Sequence, residues 1–196
     1  MTFIQTVPVE SAQGDAAQLY EADREAFGYV PNFTQAFSER PAIYMAWRQL
    51  NAAIKQTMDL RRYELVTLAA AAKLRSSYCC LAHGSVLVDQ FLPAETVQML
   101  VADHRAGGLS EQDVAVMDLA ERIVADATQI EPRDLERLRE LGLSDGEIVE
   151  VVAAASARCF FSKALDALGA EPDAKFNDLE PGLRDALTVG RPIQRA

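Results

Sequence analysis

Residues 76–84, SSYCCLAHG, place two adjacent cysteines one helical turn before a histidine. Cys79 and Cys80 are two of the three cysteines in the chain, and His83 is one of its two histidines. On a helix His83 follows Cys79 by four residues and Cys80 by three, so its ring could reach either sulfur. A thiol and an imidazole at this spacing can exchange a proton, which is how a nucleophilic cysteine is activated. The spacing does not choose between the two cysteines.

A purely structural explanation competes with this one and is favoured on residue types alone. Free cysteines are among the most buried residues, and an isolated histidine near an apolar face usually belongs to the packing. The position of Cys79 could still be special. If one helix ends near Leu74 and the next has Ser76 as its N-cap, the Ser76 hydroxyl would accept an amide hydrogen bond. Cys79 would then be the third helical residue, where the helix dipole favours a thiolate.

Glu64 favours a catalytic role for this motif over a purely structural one. It stands in the first turn of a predicted helix that is otherwise almost wholly apolar, LVTLAAAA. Such a carboxylate lies either at the solvent end or in a cavity, and only burial would raise its pKa into the range useful for proton transfer. On one continuous helix Glu64 and Cys79 would be ~22 Å apart. A chain reversal at Ser76 and Ser77 is therefore needed to bring them together.

The elements that must position these residues are predicted to be helices, in a single domain spanning residues 1–196. Apolar residues recur at intervals of three and four, and no segment alternates like a strand. In the first half, the predicted helices cover 16–27 up to Gly28, a short segment after Pro31, 42–58, 60–74 and a segment through the motif to Phe91. In the second half, one helix runs from Pro93 to Gly107, one is capped by Ser110 and ends at Asp126, and a short one starts at Pro132. The last covers 147–168 and starts with a capping box of Ser144 and Glu147. The tail, residues 171–196, is expected to wrap over the body or join a partner.

Composition limits the possible partners. The net charge is −10 without a basic cluster, so nucleic acid and anionic membrane surfaces are not expected to bind. No apolar run approaches the ~18 residues of a membrane span, and the N-terminal segment does not resemble a secretory signal. Three cysteines, two of them adjacent, suit a reducing compartment. We expect a cytoplasmic protein whose apolar segments 43–47, 65–72 and 149–161 are partly covered by another subunit.

An internal similarity also needs explanation. Residues 64–83 and 147–166 match at six of twenty positions, and both begin with a glutamate followed eleven residues later by an arginine. The first explanation is that alanine-rich buried helices resemble one another, and it is favoured because repeats normally need more copies to be trusted. The second is an old, degenerate duplication of a helix pair whose later copy has lost its chemistry.

Taken together, these motifs resemble a known family. Glu64, eleven intervening residues, SSYC, and three residues before His83 and Gly84 are similar to the alkylhydroperoxidase D and carboxymuconolactone decarboxylase superfamily. Its peroxidase branch has a glutamate, eleven residues, a Cys-x-x-Cys with tyrosine before the second cysteine, three residues and a histidine. Residues 60–72 resemble its Arg-x-x-Glu helix. Residues 30–50, 109–123 and 138–157 resemble its peroxidase-related subgroup. The resemblance covers about residues 25–175.

The resemblance implies an all-α, alkylhydroperoxidase D-like fold and homo-oligomers, commonly trimers or hexamers. It also implies a thiol-dependent peroxidase that reduces hydroperoxides without a bound metal or flavin. Cys79 corresponds to the cysteine that attacks the peroxide, and Glu64 and His83 correspond to the proton relay.

Ser76 departs from the family pattern, because it replaces the cysteine that would close a disulfide. Resolution of an oxidised Cys79 would therefore need an external small thiol or thiol protein, Cys159 if the fold brings it near, or Cys80 at a cost in strain. Tyr78 could donate a hydrogen bond in the site or simply pack.

Three other functions remain open. The decarboxylase branch of the superfamily acts on a lactone without a cysteine pair. A non-catalytic oligomer could bind a small apolar ligand between its helices. A metal site of Cys79, Cys80, His83 and Glu64 is disfavoured, because adjacent cysteines cannot easily both bind one ion with tetrahedral geometry.

Overall fold

Residues 2–195, the part of the chain that a computed structural model describes, contain ten α-helices and no β-strand. The helices are α1 (Gly14–Phe27), α2 (Asn32–Ala36), α3 (Pro41–Thr57), α4 (Leu60–Leu74), α5 (Ser77–Gln90), α6 (Ala94–Asp103), α7 (Glu111–Asp126), α8 (Pro132–Glu140), α9 (Asp145–Leu168) and α10 (Pro181–Leu187). Short 3-10 turns connect several of them. The predicted all-α fold is confirmed.

Helix α4 lies at the centre of the bundle. It packs against α5, α7 and α9, and every residue from Tyr63 to Ala71 is buried. A helix enclosed on all sides has no polar stripe, which explains the uninterrupted apolar run in this part of the sequence. Neighbouring helices of the same chain cover almost all of segment 65–72, so any surface left for a second subunit lies mainly in segments 43–47 and 149–161.

The reversal between α4 and α5 occurs where the sequence predicted it. Arg75 ends α4 in the left-handed conformation, with φ of 57°, and Ser76 is the N-cap of α5. Cys79 is consequently the third residue of α5. The predicted capping hydrogen bond is absent: the buried Ser76 side chain accepts no amide from α5 and lies near the Asp166 carboxyl instead.

Most other helix ends follow local signals in the sequence. Gly28 ends α1 with φ of 80°, a conformation that costs glycine little. The Ser110 hydroxyl accepts the Asp113 amide at the start of α7. Ser144 and Glu147 form the predicted capping box, although α9 begins slightly earlier than predicted, at Asp145. These helix ends could be predicted because each depends on residues nearby in the sequence.

The proposed helix-pair duplication has no counterpart in the structure. Residues 64–83 form two helices separated by a reversal, whereas residues 147–166 lie within one continuous helix, α9. The two aligned arginines also differ, because Arg75 is exposed at a helix end and Arg158 is buried in mid-helix. The similarity reflects two buried, alanine-rich helices.

The C-terminal tail wraps over the body, one of the two arrangements expected for it. Leu187 of α10 packs against Gly84, where a Cβ atom would lie 2.5 Å from its side chain. The Gly190 amide donates to the Ser77 hydroxyl at 2.7 Å. The tail thereby covers the outer side of the α5 N-terminus. Among residues 2–195, no helix is both long and apolar enough to cross a bilayer.

Candidate active site

A cavity of about 600 Å³ opens beside α4, α5 and α9 and contains the chemistry-bearing residues. Glu64, Tyr78, Cys79 and His83 all lie on its wall. Nine aromatic side chains line it: Phe27, Tyr29, Phe33, Tyr44, Trp47, Tyr63, Tyr78, Phe161 and Phe176. A second, smaller cavity of about 150 Å³ lies between α1 and α3 and contains none of the predicted site residues.

The reversal between α4 and α5 brings Glu64 and His83 into direct contact. His83 Nδ1 lies 2.5 Å from Glu64 Oε2, and the glutamate is buried. Cys79 precedes His83 by one helical turn on α5, so the thiol and the imidazole share a helix face that is open to the cavity. The structure thus places the three residues of the predicted thiol and proton relay around one cavity.

The protonation of His83 depends on its surroundings. Burial lowers the pKa of His83, and the positive charge of Arg158 lowers it further, while Glu64 acts in the opposite direction. The ring is therefore neutral near pH 7. A neutral ring bound to a carboxylate through Nδ1 donates its proton there, which leaves Nε2 as a proton acceptor.

The sulfur of Cys79 is contacted by two donors from α9. Ser162 Oγ donates to Cys79 Sγ at 3.1 Å, and Arg158 Nη1 donates to it at 3.5 Å. The two donors are four residues apart, so they project from one face of α9. Both contacts strengthen when the sulfur carries a negative charge. This pair of donors, rather than the N-terminal amides of α5, is the principal polar environment of the thiol.

Arg158 is a buried cation, only 3% exposed. Burial lowers the pKa of Arg158, but its interactions with Cys79 and Tyr63 outweigh that effect and raise the pKa above the usual value. Its Nη2 donates to the Tyr63 hydroxyl at 3.1 Å, and within residues 2–195 no carboxylate forms an ion pair with it. A buried charge without a counter-ion is costly, so the site favours a negative charge beside this guanidinium.

Sequence reasoning missed Arg158, Ser162 and Tyr63. Two signals could have pointed to the arginine: it is a single charge inside the apolar stretch AAASARCFF, and the internal alignment pairs it with Arg75. Neither signal indicates that α9 lies beside Cys79. That proximity is a property of the tertiary structure.

The other cysteines lie outside the cavity wall. Cys80 is completely buried, and burial raises the pKa of its thiol. Cys159 is partly exposed near Lys163, on a different face of α9 from Arg158, and burial also raises the pKa of its thiol. Ser76 is not on the wall either. The structure therefore does not bring a candidate resolving thiol into the cavity with Cys79.

Tyr78 forms part of the wall and is held by the C-terminal tail. Its hydroxyl donates to the buried Asp173 carboxylate, which also accepts from the Tyr29 hydroxyl at 3.0 Å and the Asn32 amide at 2.8 Å. The Phe33 amide donates to the Tyr78 oxygen at 3.3 Å. Both expectations for Tyr78, a hydrogen bond and a packing role, describe this arrangement. Among residues 2–195, no three His, Cys, Asp or Glu side chains are grouped to hold a metal ion.

Comparison with known proteins adds the fold family. No family model and no curated protein matches the chain. Among solved structures, the alkylhydroperoxidase AhpD core of an uncharacterized peroxidase-related protein from Ralstonia eutropha JMP134 superposes with a TM-score of 0.80 at 17% identity, covering 97% of this chain and 98% of that one. An uncharacterized peroxidase-related protein from Silicibacter sp. TM1040 gives 0.81 at 20% identity, covering 90% and 94%.

A third similar structure has a different named activity. A cysteine-to-alanine form of the debrominase Bmp8, in complex with 2,3,4-tribromopyrrole, has a TM-score of 0.72 at 12% identity and covers 95% of this chain and 96% of that one. All three relatives match over nearly the whole length of both chains. The protein therefore has the fold of the alkylhydroperoxidase D superfamily.

Proposed function

We propose that the protein is a thiol-dependent peroxidase in which Cys79 is the nucleophile. The observation that carries the proposal is the contact of the Cys79 sulfur with Arg158, a buried guanidinium that forms no ion pair with a carboxylate of residues 2–195. The lowered pKa of His83, its bond to Glu64 and the peroxidase-related names of two structural neighbours are consistent with it.

The first chemical step oxidises the sulfur. The Cys79 thiol passes its proton to the Glu64 and His83 pair, and Arg158 and Ser162 stabilise the thiolate that remains. The thiolate attacks the terminal oxygen of the hydroperoxide, so an S–O bond forms while the O–O bond breaks. The pair returns the proton to the leaving alkoxide. The products are a sulfenic acid on Cys79 and an alcohol, so the sulfur is oxidised by two electrons and the peroxide is reduced by two.

An external thiol completes the cycle. It attacks the sulfenic acid, releases water and leaves a mixed disulfide on Cys79, and a second external thiol then releases the enzyme thiol. Cys80 is buried away from the cavity and Cys159 lies on another face of α9, so neither supplies an internal route without rearrangement. A small thiol or thiol protein of the cytoplasm is the proposed reductant.

Hydroperoxide consumption with a dithiol reductant tests the proposal. We expect the wild-type protein to consume cumene hydroperoxide and to form a sulfenic acid that dimedone traps on Cys79. Cys79→Ser should abolish both signals. Cys80→Ser, a matched substitution one residue away, should keep most of each. Equal activity of the two variants, or a wild-type protein that forms no sulfenic acid, would overturn the proposal.

Reductive debromination is a second candidate, because one structural neighbour is named a debrominase and the cavity here is wide and aromatic. Bromide release from a series of polybrominated pyrroles in the presence of a thiol measures it directly. Bromide release without hydroperoxide consumption would favour debromination over peroxidase chemistry.

A further inference from the structure

The size and lining of the cavity indicate the shape of the substrate. At about 600 Å³ it lies in the range of sites that enclose small organic molecules, ~300–1,000 Å³. Hydrogen peroxide would leave most of this volume unfilled. The nine aromatic side chains instead offer ring faces and edges, which favour a flat, apolar partner.

The charged side chains on the cavity wall indicate a second property of the substrate, its charge. The chain has only four lysines, and two of them, Lys55 and Lys175, line this cavity. Lys55 Nζ lies 5.0 Å from the centre of the Tyr63 ring, and Lys175 Nζ lies 4.9 Å from that of Tyr29. Within residues 2–195, neither ammonium group forms an ion pair with a carboxylate. Both groups are therefore available to a ligand.

The remaining charges on the wall are mostly committed to other partners. Glu64 is bound to His83, Asp173 accepts three hydrogen bonds, and Arg48 is paired with Asp23. Asp89 is exposed and is the one acidic residue on the wall outside these pairings. These carboxylates keep their negative charge, so the wall is not positive overall, but the two lysines are exposed cations on it that form no ion pair within residues 2–195.

We propose, on the basis of the proposed peroxidase function, that the substrate is an aromatic hydroperoxide that carries a carboxylate, and that Lys55 and Lys175 recognise the carboxylate. The aromatic wall holds the ring, and the lysines at the exposed part of the wall attract the anion. The peroxide group is then directed to Cys79, the only thiol on the wall within residues 2–195.

Binding can be measured without any reaction. Trp47 is the single tryptophan of the chain, lines the cavity and stacks on Phe161 with ring centres 3.8 Å apart, so its fluorescence reports on occupancy. The probes are 4-isopropylbenzoate and 4-isopropylbenzamide, which share a ring and differ in charge. We expect the benzoate to bind about tenfold more tightly than the amide, and added salt to reduce only this preference.

Two double variants with the same change in net charge test the lysines. Lys55→Met with Lys175→Met should bring the ratio of the two affinities close to one. Lys73→Met with Lys163→Met removes the two lysines outside the cavity and should leave the ratio as in the wild type. With cumene hydroperoxide and its 4-carboxy derivative, the ratio of kcat/KM values should change in the same pattern.

The outcomes separate this inference from the proposed function. Equal affinity for the benzoate and the amide, or the same result from both double variants, would overturn the inference even if Cys79 reacts with peroxides. A lysine-dependent preference for the benzoate in a protein whose Cys79 is never oxidised would support the binding site and overturn the peroxidase function.

Discussion

The two sides of α5 place adjacent cysteines in opposite environments. Cys79 lies on the cavity wall, where Arg158 and Ser162 donate to its sulfur. Cys80, about 100° further around the helix, is completely buried outside the cavity, and burial raises the pKa of its thiol. The two residues have the same side chain and share a helical turn. Their difference teaches that the polar surroundings of a thiol here depend on which neighbouring helix it faces.

The two sides of α9 differ in the same way. One face presents Arg158 and Ser162 to the thiol, whereas the exposed face presents Val149, Val152 and Phe160 to solvent. One helix therefore has a face suited to chemistry and an apolar face suited to association.

Replacing Arg158 should have the largest effect on the difference between Cys79 and Cys80 in their rate of oxidation by hydroperoxide. Arg158→Met removes the cation beside Cys79, so we expect oxidation of Cys79 by hydroperoxide to slow by about 10²-fold or more, and Arg158→Lys to restore part of the rate. Stopped-flow oxidation followed by dimedone labelling measures this. Arg75→Met, at the aligned but exposed arginine, is the control. An Arg158→Met protein that folds and reacts at the wild-type rate would contradict the thiolate interpretation.

Replacing either residue of the proposed proton relay should have the next largest effect on the rate of peroxide reduction. Glu64→Gln and His83→Gln should each slow peroxide reduction by roughly 10²-fold, because each removes a group that takes or returns a proton. Circular dichroism should show an unchanged helical content. If the two residues act as one relay, the double variant should be little slower than either single variant. Multiplying losses would instead indicate two independent roles.

Ser76→Cys should sharpen the comparison by adding a third thiol to the start of α5. The wild-type Ser76 side chain makes no cap hydrogen bond, so the substitution loses none and the helix should start at the same place. We expect the oxidised variant to contain a disulfide between positions 76 and 79, and dithiol-dependent turnover to increase severalfold. Mass spectrometry of the oxidised protein identifies the bond. A disulfide that forms without any gain in turnover would show that resolution does not limit the cycle.

The exposed face of α9 predicts self-association. We propose that Val149, Val152 and Phe160 are covered by another copy of the chain, so the wild-type protein should sediment as an oligomer at micromolar concentration. Phe160→Asp should shift it towards the monomer, whereas Glu150→Asp, on the same helix, should not. A wild-type protein that sediments as a monomer would contradict the proposal.

The smallest predicted effect concerns pH and His83. Because burial lowers the pKa of His83, the unfolded chain binds a proton more readily than the folded protein as the pH falls below about 6.5. The free energy of unfolding should therefore decrease between pH 7.5 and pH 5.5, and His83→Gln should reduce this decrease by about 1 kcal/mol. Urea unfolding at the two pH values measures it. A variant with the wild-type pH dependence would show that other groups dominate.

The sequence alone determined the helices and the approximate location of the site. Helix ends at Gly28, Ser110 and Ser144 depend on residues within a few positions of them, and such local signals are readable without a structure. The pairing of Glu64 with His83 could be expected because one short reversal between α4 and α5 brings them together. The position of Cys79 as the third residue of α5 followed from the same reversal.

Only the tertiary structure decided which cysteine meets a cation. Arg158 contacts a sulfur 79 residues earlier in the chain, and no local pattern specifies that α9 packs against α4 with this face towards Cys79. The Ser76 hydroxyl also departed from its local preference, because it is buried without a hydrogen-bond partner within residues 2–195. The sequence could rank the candidate residues, but burial and distant neighbours, which depend on how all the helices pack, set their chemistry.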